Sequence, residues 1–143
     1  MSQEIKFRGY SETYQKWYYG YFAKSIEGEP FIIVIDDFGI YDVIEKTVGQ
    51  FAWLHDKNKK EVYNGDLLRY PPTNDWEKTN FSCFEVFFHD GDSNADYNIG
   101  YRFRMHNHGA VCGGYIPSFK PTKVSQMVII GNIHDNPELL EKR

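Results

Sequence analysis

Residues 49–70 read Gly-Gln-Phe-Ala-Trp-Leu-His-Asp-Lys-Asn-Lys-Lys-Glu-Val-Tyr-Asn-Gly-Asp-Leu-Leu-Arg-Tyr. A strand-like run leads into a charged turn at Asp56, Lys57, Asn58, Lys59 and Lys60, then Val62 and Tyr63, then Asn64-Gly65, then a second apolar run. Asn and Asp bond their own backbone in turns, and Asn-Gly is the commonest pair for a two-residue turn with positive φ. The charges sit where turns want them and the apolar residues where strands want them. This stretch commits its part of the chain to short strands joined by tight turns, and it offers no matched acid and base.

The same pattern runs through most of the chain. Residues 5–8 alternate apolar and basic, the period of a half-buried strand. Residues 14–23 are rich in aromatics, with a pause at Gly20. Residues 31–35, Phe-Ile-Ile-Val-Ile, are β-branched and too short for a helix, which predicts a strand buried on both faces. Further strands are expected at 40–44, 47–54, 66–70, 81–89, 99–105 and 126–133. The glycine-rich residues 106–118 read as a loop or a badly interrupted hairpin. Asn136, Pro137 and Glu138 predict a short C-terminal helix with Asn136 as N-cap and Pro137 at its first position. No earlier segment carries a helical period. Pro71-Pro72 removes two backbone donors, so no central strand passes there. A division into lobes 1–70 and 76–143 is expected at that point, with one sheet system and a long surface loop as the alternative.

The fold class that follows is mostly β: short twisted strands in a partly closed, barrel-like sheet system with a short C-terminal helix. An aromatic share of 17% favours strands over helices. The formal net charge of -4 lacks the excess of Lys and Arg that non-specific nucleic-acid binding uses, so only a local basic patch could serve. The two cysteines, Cys83 and Cys112, form neither a CxxC pair nor a disulfide framework. The first residues contain no apolar signal core, and no run approaches the length of a membrane span. A cytoplasmic protein with no membrane association is the expectation.

Three phrases together identify a family. Ile5-Lys6-Phe7-Arg8 opens the chain. Thr47-Val48-Gly49-Gln50-Phe51 leads into Asp56-Lys57-Asn58-Lys59-Lys60-Glu61-Val62-Tyr63-Asn64-Gly65-Asp66-Leu67. Ile130-Gly131-Asn132-Ile133-His134-Asp135-Asn136-Pro137-Glu138-Leu139-Leu140 closes it. In this order they resemble the YopX family of phage and prophage proteins over nearly the whole chain. The chain departs from that pattern at Trp53 and Lys59, where the pattern has glycine, and at Asn64, where it has Glu. The resemblance implies a mostly β protein of phage origin, a single YopX-like domain over residues 1–143, acting in a bacterial host. It implies no catalytic residue and no cofactor.

Four constellations could carry chemistry. Asp90, Asp92, Asn94 and Asp96 place oxygen ligands at alternate positions, as an EF-hand loop begins. Ala95 stands where that loop needs glycine and Tyr101 where it needs its bidentate Glu, so a solvated hairpin loop is the plainer reading. His106 and His108, with Cys112 four residues on, are zinc-compatible. No second pair completes a tetrad, although His89, His134 and Cys83 are available. A Cys112–His nucleophile lacks any local signature. Lys16-Trp17-Tyr18-Tyr19 and Tyr101-Arg102-Phe103-Arg104 interleave rings with cations, as single-strand nucleic-acid binders do. Against this, alternation puts the rings toward the core and the arginines toward water.

The candidate binding residues are therefore Trp17, Tyr101, Arg102, Phe103 and Arg104. The function expected is non-enzymatic, through an unknown protein partner or self-association into a homo-oligomer. A nucleic-acid-binding β module is the first alternative. A metal-dependent enzyme centred on His106 and His108 is the second.

Overall fold

The computed structural model describes residues 5–34, 36–89, 100–111 and 113–140. The chain forms two compact units, Met1–Trp53 and Leu54–Arg143. The passage between them lies within a strand, not at Pro71-Pro72. Those prolines fall inside the second unit because the strands before and after them pair in one sheet.

The first unit contains β1 (Phe7–Ser11), β2 (Lys16–Lys24), β3 (Pro30–Ile33), β4 (Ile40–Asp42), a 3-10 turn at Glu45–Thr47 and the start of β5 (Gly49–His55). The strands lie antiparallel in the order β4-β3-β2-β1-β5. Ile32, Val43 and Phe51 are buried, and Phe7 packs on Phe22 with ring centroids 5.9 Å apart. The pause at Gly20 is a close approach: a Cβ there would run into the carbonyl of Ile33 on the neighbouring strand. Burial of β3 on both faces does not occur. Only Ile32 is fully buried, while Phe31 and Ile33 are half-exposed. An antiparallel sheet needs only one covered face, and β3 turns its second face outward beside the exposed Ile40.

The second unit contains β6 (Glu61–Tyr63), β7 (Asp66–Arg69), a 3-10 turn at Trp76–Lys78, β8 (Phe81–His89), β9 (Gly100–His108), α1 (Pro121–Val124), β10 (Val128–Asn132) and a final 3-10 turn at Pro137–Leu140. β10, β7, β8 and β9 make an antiparallel sheet in that order. β6 instead follows β5 in sheet order. Asn64-Gly65 is thus a corner at which the chain changes sheets. Gly65, at φ +97, donates its N–H to Val86 and accepts from Ile133 N–H. Val62, Leu68, Phe84, Val86, Phe103, Val124 and Met127 form the core. Neither sheet closes on itself among the described residues.

The turn after β5 is organised by Asp56, which is buried. Its Oδ1 accepts from the N–H of Asn58 and of Lys60, each at 2.9 Å, and its Oδ2 accepts from Ile129 N–H at 3.0 Å. Asp66, also buried, accepts from Tyr63 N–H at 2.7 Å. Trp53 and Lys59 stand at φ +62 and +66. Both lie in the left-handed region, where a side chain carries strain that glycine avoids.

The C-terminal turn begins at Pro137, as the sequence predicts, and is 3-10. Asn136 sits before it, but its side chain turns back: Oδ1 accepts from Asn132 N–H at 3.1 Å. A Cβ at position 131 would strike that side chain, so Gly131 makes room for the lock. The short helix α1 has no periodicity to announce it. β9 runs on through His106 and His108, where the glycine count of the following residues predicts loop, because β8 offers each of them a partner.

Two outcomes follow in urea denaturation. Asp56→Ala leaves buried N–H donors unmet and lowers stability by about 2–4 kcal/mol. Lys59→Gly raises it by up to about 1 kcal/mol, the relief of left-handed strain being partly offset by the greater freedom of glycine in the unfolded chain.

Candidate functional site

β8 and β9 pair without interruption from Phe81↔His108 to His89↔Gly100. Because side chains alternate across a strand, this register sorts them into two rows. Phe84, Val86, Tyr101, Phe103 and Met105 face the core. Cys83, Glu85 and Phe87 face the other way, beside His106, Arg104 and Arg102 respectively.

The second row carries the polar chemistry. Glu85 is 7% exposed and lies between Arg104 and His106. Arg104 Nη1 donates to its Oε2 at 3.2 Å, and His106 Nε2 lies 3.0 Å from its Oε1. A carboxylate only accepts, so the His106 ring carries its proton on Nε2 in this contact. The Arg104 guanidinium also stacks on Phe87, 4.1 Å from the ring centroid. Further along, His108 stacks on Phe81 at 4.9 Å, and Arg69 covers the same Phe81 ring at 4.0 Å. Cys83 is fully buried, 3.7 Å from His108 Nε2 and 3.8 Å from the carbonyl oxygen of Leu139. Burial pushes its thiol up to about 11. At neutral pH it is a thiol, not a nucleophilic thiolate.

Among the described residues β9 is the last strand of its sheet. Along it runs a cleft of about 840 Å³, lined by Phe87, residues 101–105, and the segment Ile116, Pro117, Ser118 and Phe119. Five consecutive residues of one strand can line one cleft only if it follows the strand's open edge, since neighbours point to opposite faces. Phe119 packs against Tyr101 at 5.8 Å and Phe103 at 5.2 Å and holds the opposite wall. Burial raises the Tyr101 hydroxyl above the ordinary tyrosine range.

Tyr101, Arg102, Phe103 and Arg104 thus come together in one cleft. Alternation is met at Phe103, which is buried, and Arg104, which is exposed, while Tyr101 and Arg102 are both half-buried. Trp17 belongs to the first unit, where it meets Tyr10 at 5.5 Å and the Arg8 guanidinium at 4.9 Å, and it does not line this cleft. His106 and His108 share a face but have different partners, Glu85 and Cys83. Among the described residues no three His, Cys, Asp or Glu side chains gather to hold a metal ion. Asp90, Asp92, Asn94 and Asp96, and also Cys112, lie outside the described residues.

The sequence reading missed Glu85, Phe87 and Phe119. Glu85 left a signal, a lone carboxylate inside the apolar run of residues 81–89. Phe119 left none, because its partners are distant in sequence.

A sequence profile of the YopX protein family matches residues 6–141. The chain belongs to the YopX family. No curated protein matches it. Among solved structures it is similar to protein EF1440 from Enterococcus faecalis, at 23% identity and a TM-score of 0.55, over 98% of this chain and 100% of that one. That likeness concerns the fold alone. Within this YopX-family chain, the closing Gly-Asn…Asn-Pro-Glu-Leu-Leu phrase forms the Gly131–Asn136 lock and the turn that carries Leu139 over Cys83.

In a Cys112→Ser background, Cys83 of the native YopX-family protein resists iodoacetamide at pH 8 and reacts at the rate of a free thiol once urea unfolds the chain. Its raised pKa favours the folded state below about pH 9. That contribution is lost as pH climbs through about 11, so Cys83→Ala flattens the alkaline arm of a stability profile. Glu85→Ala lowers stability by about 1–3 kcal/mol. Arg104→Ala, at the exposed end of the same pair, costs less than about 1 kcal/mol.

Proposed function

We propose that this YopX-family chain is a phage or prophage accessory protein that acts in the bacterial cytoplasm by binding another protein, without catalysis of its own. The observation that carries this reading is the cleft along the open edge of β9. A strand edge exposes unpaired backbone donors and acceptors, and proteins that do not use such an edge keep it short, bulged or covered. β9 is nine residues long and pairs without a bulge on its inner side.

The polar groups nearby support binding over chemistry. Glu85 is already held by both Arg104 and His106, and a general base must be within reach of a substrate proton. The Cys83 thiol is buried and protonated. The nucleic-acid alternative is the weaker one. Base stacking needs an open ring face, and Phe103 is enclosed by Phe84 at 5.6 Å and Phe119 at 5.2 Å. The net charge of -4 points the same way.

The test is capture from phage-infected cells with the immobilised wild-type chain and an Arg102→Glu variant. A defined host or phage protein held by the wild type and lost in the variant supports the reading. Salt-sensitive binding of single-stranded DNA, abolished by Arg102→Ala together with Arg104→Ala, replaces it with a nucleic-acid-binding function.

A further inference from the structure

We propose that the second unit carries a contact for single-stranded nucleic acid, built from the lysines of the 56–60 turn and of α1 around the Tyr70 ring. It goes beyond the protein-binding reading and does not depend on it, because it uses no residue of the β9 cleft.

The net charge leaves a local basic patch as the one way to hold nucleic acid, and the fold assembles such a patch. Residues 56–60 and 120–129 contain Lys57, Lys59, Lys60, Lys120 and Lys123 against one carboxylate, Asp56. The two segments are distant in sequence, and backbone contacts bring them together. Lys57 N–H donates to the carbonyl oxygen of Met127 at 2.7 Å, and Ile129 N–H donates to Asp56 at 3.0 Å. The Asp56 carboxylate is buried and already accepts three backbone N–H groups, so it offers no oxygen to a lysine. Lys57, Lys59, Lys60 and Lys120 are exposed, and Lys123 is half-buried. None of the five makes an ion pair among the described residues. Lys24 and Lys78, by contrast, meet Glu45 at 2.6 Å and Asp75 at 2.9 Å. Unpaired cations gathered on one surface raise the local concentration of a polyanion.

Lys57 also lines a cleft of about 560 Å³ with Tyr70, Pro71, Pro72, Ser125 and Gln126. Tyr70 is 39% exposed, and its ring is held 6.2 Å from that of Phe84 at an angle of 79°. A base of a single strand can stack on such a ring while its phosphates reach the lysines, whereas a duplex keeps its bases stacked on each other. Every cation of the patch is lysine. Flexible point charges follow a chain of phosphates, while a carboxylate is matched best by the bidentate fork of arginine. This favours nucleic acid over an acidic protein segment. Two carboxylates stand close by, and both are engaged. Glu61 accepts from the Tyr63 hydroxyl at 2.8 Å. Glu77 accepts from the N–H and the hydroxyl of Thr73, another residue of the cleft, at 2.8 and 2.9 Å.

The experiment uses the full chain with labelled oligothymidylate and oligouridylate of about twelve nucleotides, within the span of one binding module. Anisotropy is read from about 0.05 to 0.2 M salt. At least one strand is expected to bind, the tighter naming the sugar, with affinity falling steeply as salt rises. With Lys57→Gln, Lys60→Gln and Lys123→Gln combined, the slope of log affinity against log salt flattens by about 2, at an unchanged urea midpoint. Tyr70→Leu weakens binding about tenfold. An abasic strand of equal length binds wild type and Tyr70→Leu alike, which a loss of folding would not give. Arg102→Ala with Arg104→Ala binds as the wild type does, which separates this contact from the outcome that replaces the protein-binding reading. The proposal is overturned by absent or salt-insensitive binding of both strands, or by an unchanged slope in the lysine variant. Equal affinity of Tyr70→Leu and wild type for the intact strands overturns it too, as does loss of binding in the arginine variant. A polyglutamate peptide of equal charge that binds as tightly assigns the patch to an acidic protein segment instead. If capture from infected cells fails while strand binding persists, the protein-binding reading falls and this contact stands.

Discussion

The carboxylate of Asp56 holds together segments that lie 73 residues apart, by accepting from Asn58 and Lys60 on its own turn and from Ile129 on β10. A buried carboxylate is tolerable only when its lone pairs are met, and here backbone donors meet them. The charge therefore fixes the turn and the position of β10 at once. β10 in turn pairs with β7, and β7 with β8, so the sheet that ends in β9 is anchored from this point. Asp66 repeats the device on a smaller scale at the corner between β6 and β7.

A second consequence concerns the far side of that sheet. Among the described residues β9 ends the sheet, and the polar row on β8 and β9 lies on the face opposite the core. Glu85 neutralises Arg104 and fixes the His106 ring, while Arg104 lies flat on Phe87. Such pairs hold long side chains in place more than they stabilise the fold, since Arg104 remains in contact with water. Phe119, packed on Tyr101 and Phe103, fixes the 116–119 segment as the opposite wall of the cleft beside them.

Much of this architecture was legible in residue order. Alternation in residues 81–89 and 99–105 marks two strands, and it assigns Phe103 inward and Arg104 outward. Asn64-Gly65 marks a turn, and Asn136-Pro137 marks the start of the last one. Helix α1 was not legible, because four residues span hardly more than one turn and hold no period. Nor was the continuation of β9 through His106 and His108: the glycines that follow them argue for a loop, and only pairing with β8 overrides it. At Trp53 and Lys59 the residue types conceal a left-handed backbone that glycine would have announced.

Local rules act over a few residues, so the sequence by itself determined strands, turns, side-chain faces and family. Which strands become neighbours depends on contacts between residues far apart, and no local rule reaches them. The tertiary structure alone decided that the Asn-Gly turn is a corner between sheets, that Asp56 reaches Ile129, and that β9 lies at an edge. The physical reason is that an edge is defined by what fails to pair with a strand, and nothing in the strand's own residues records the absence of a neighbour.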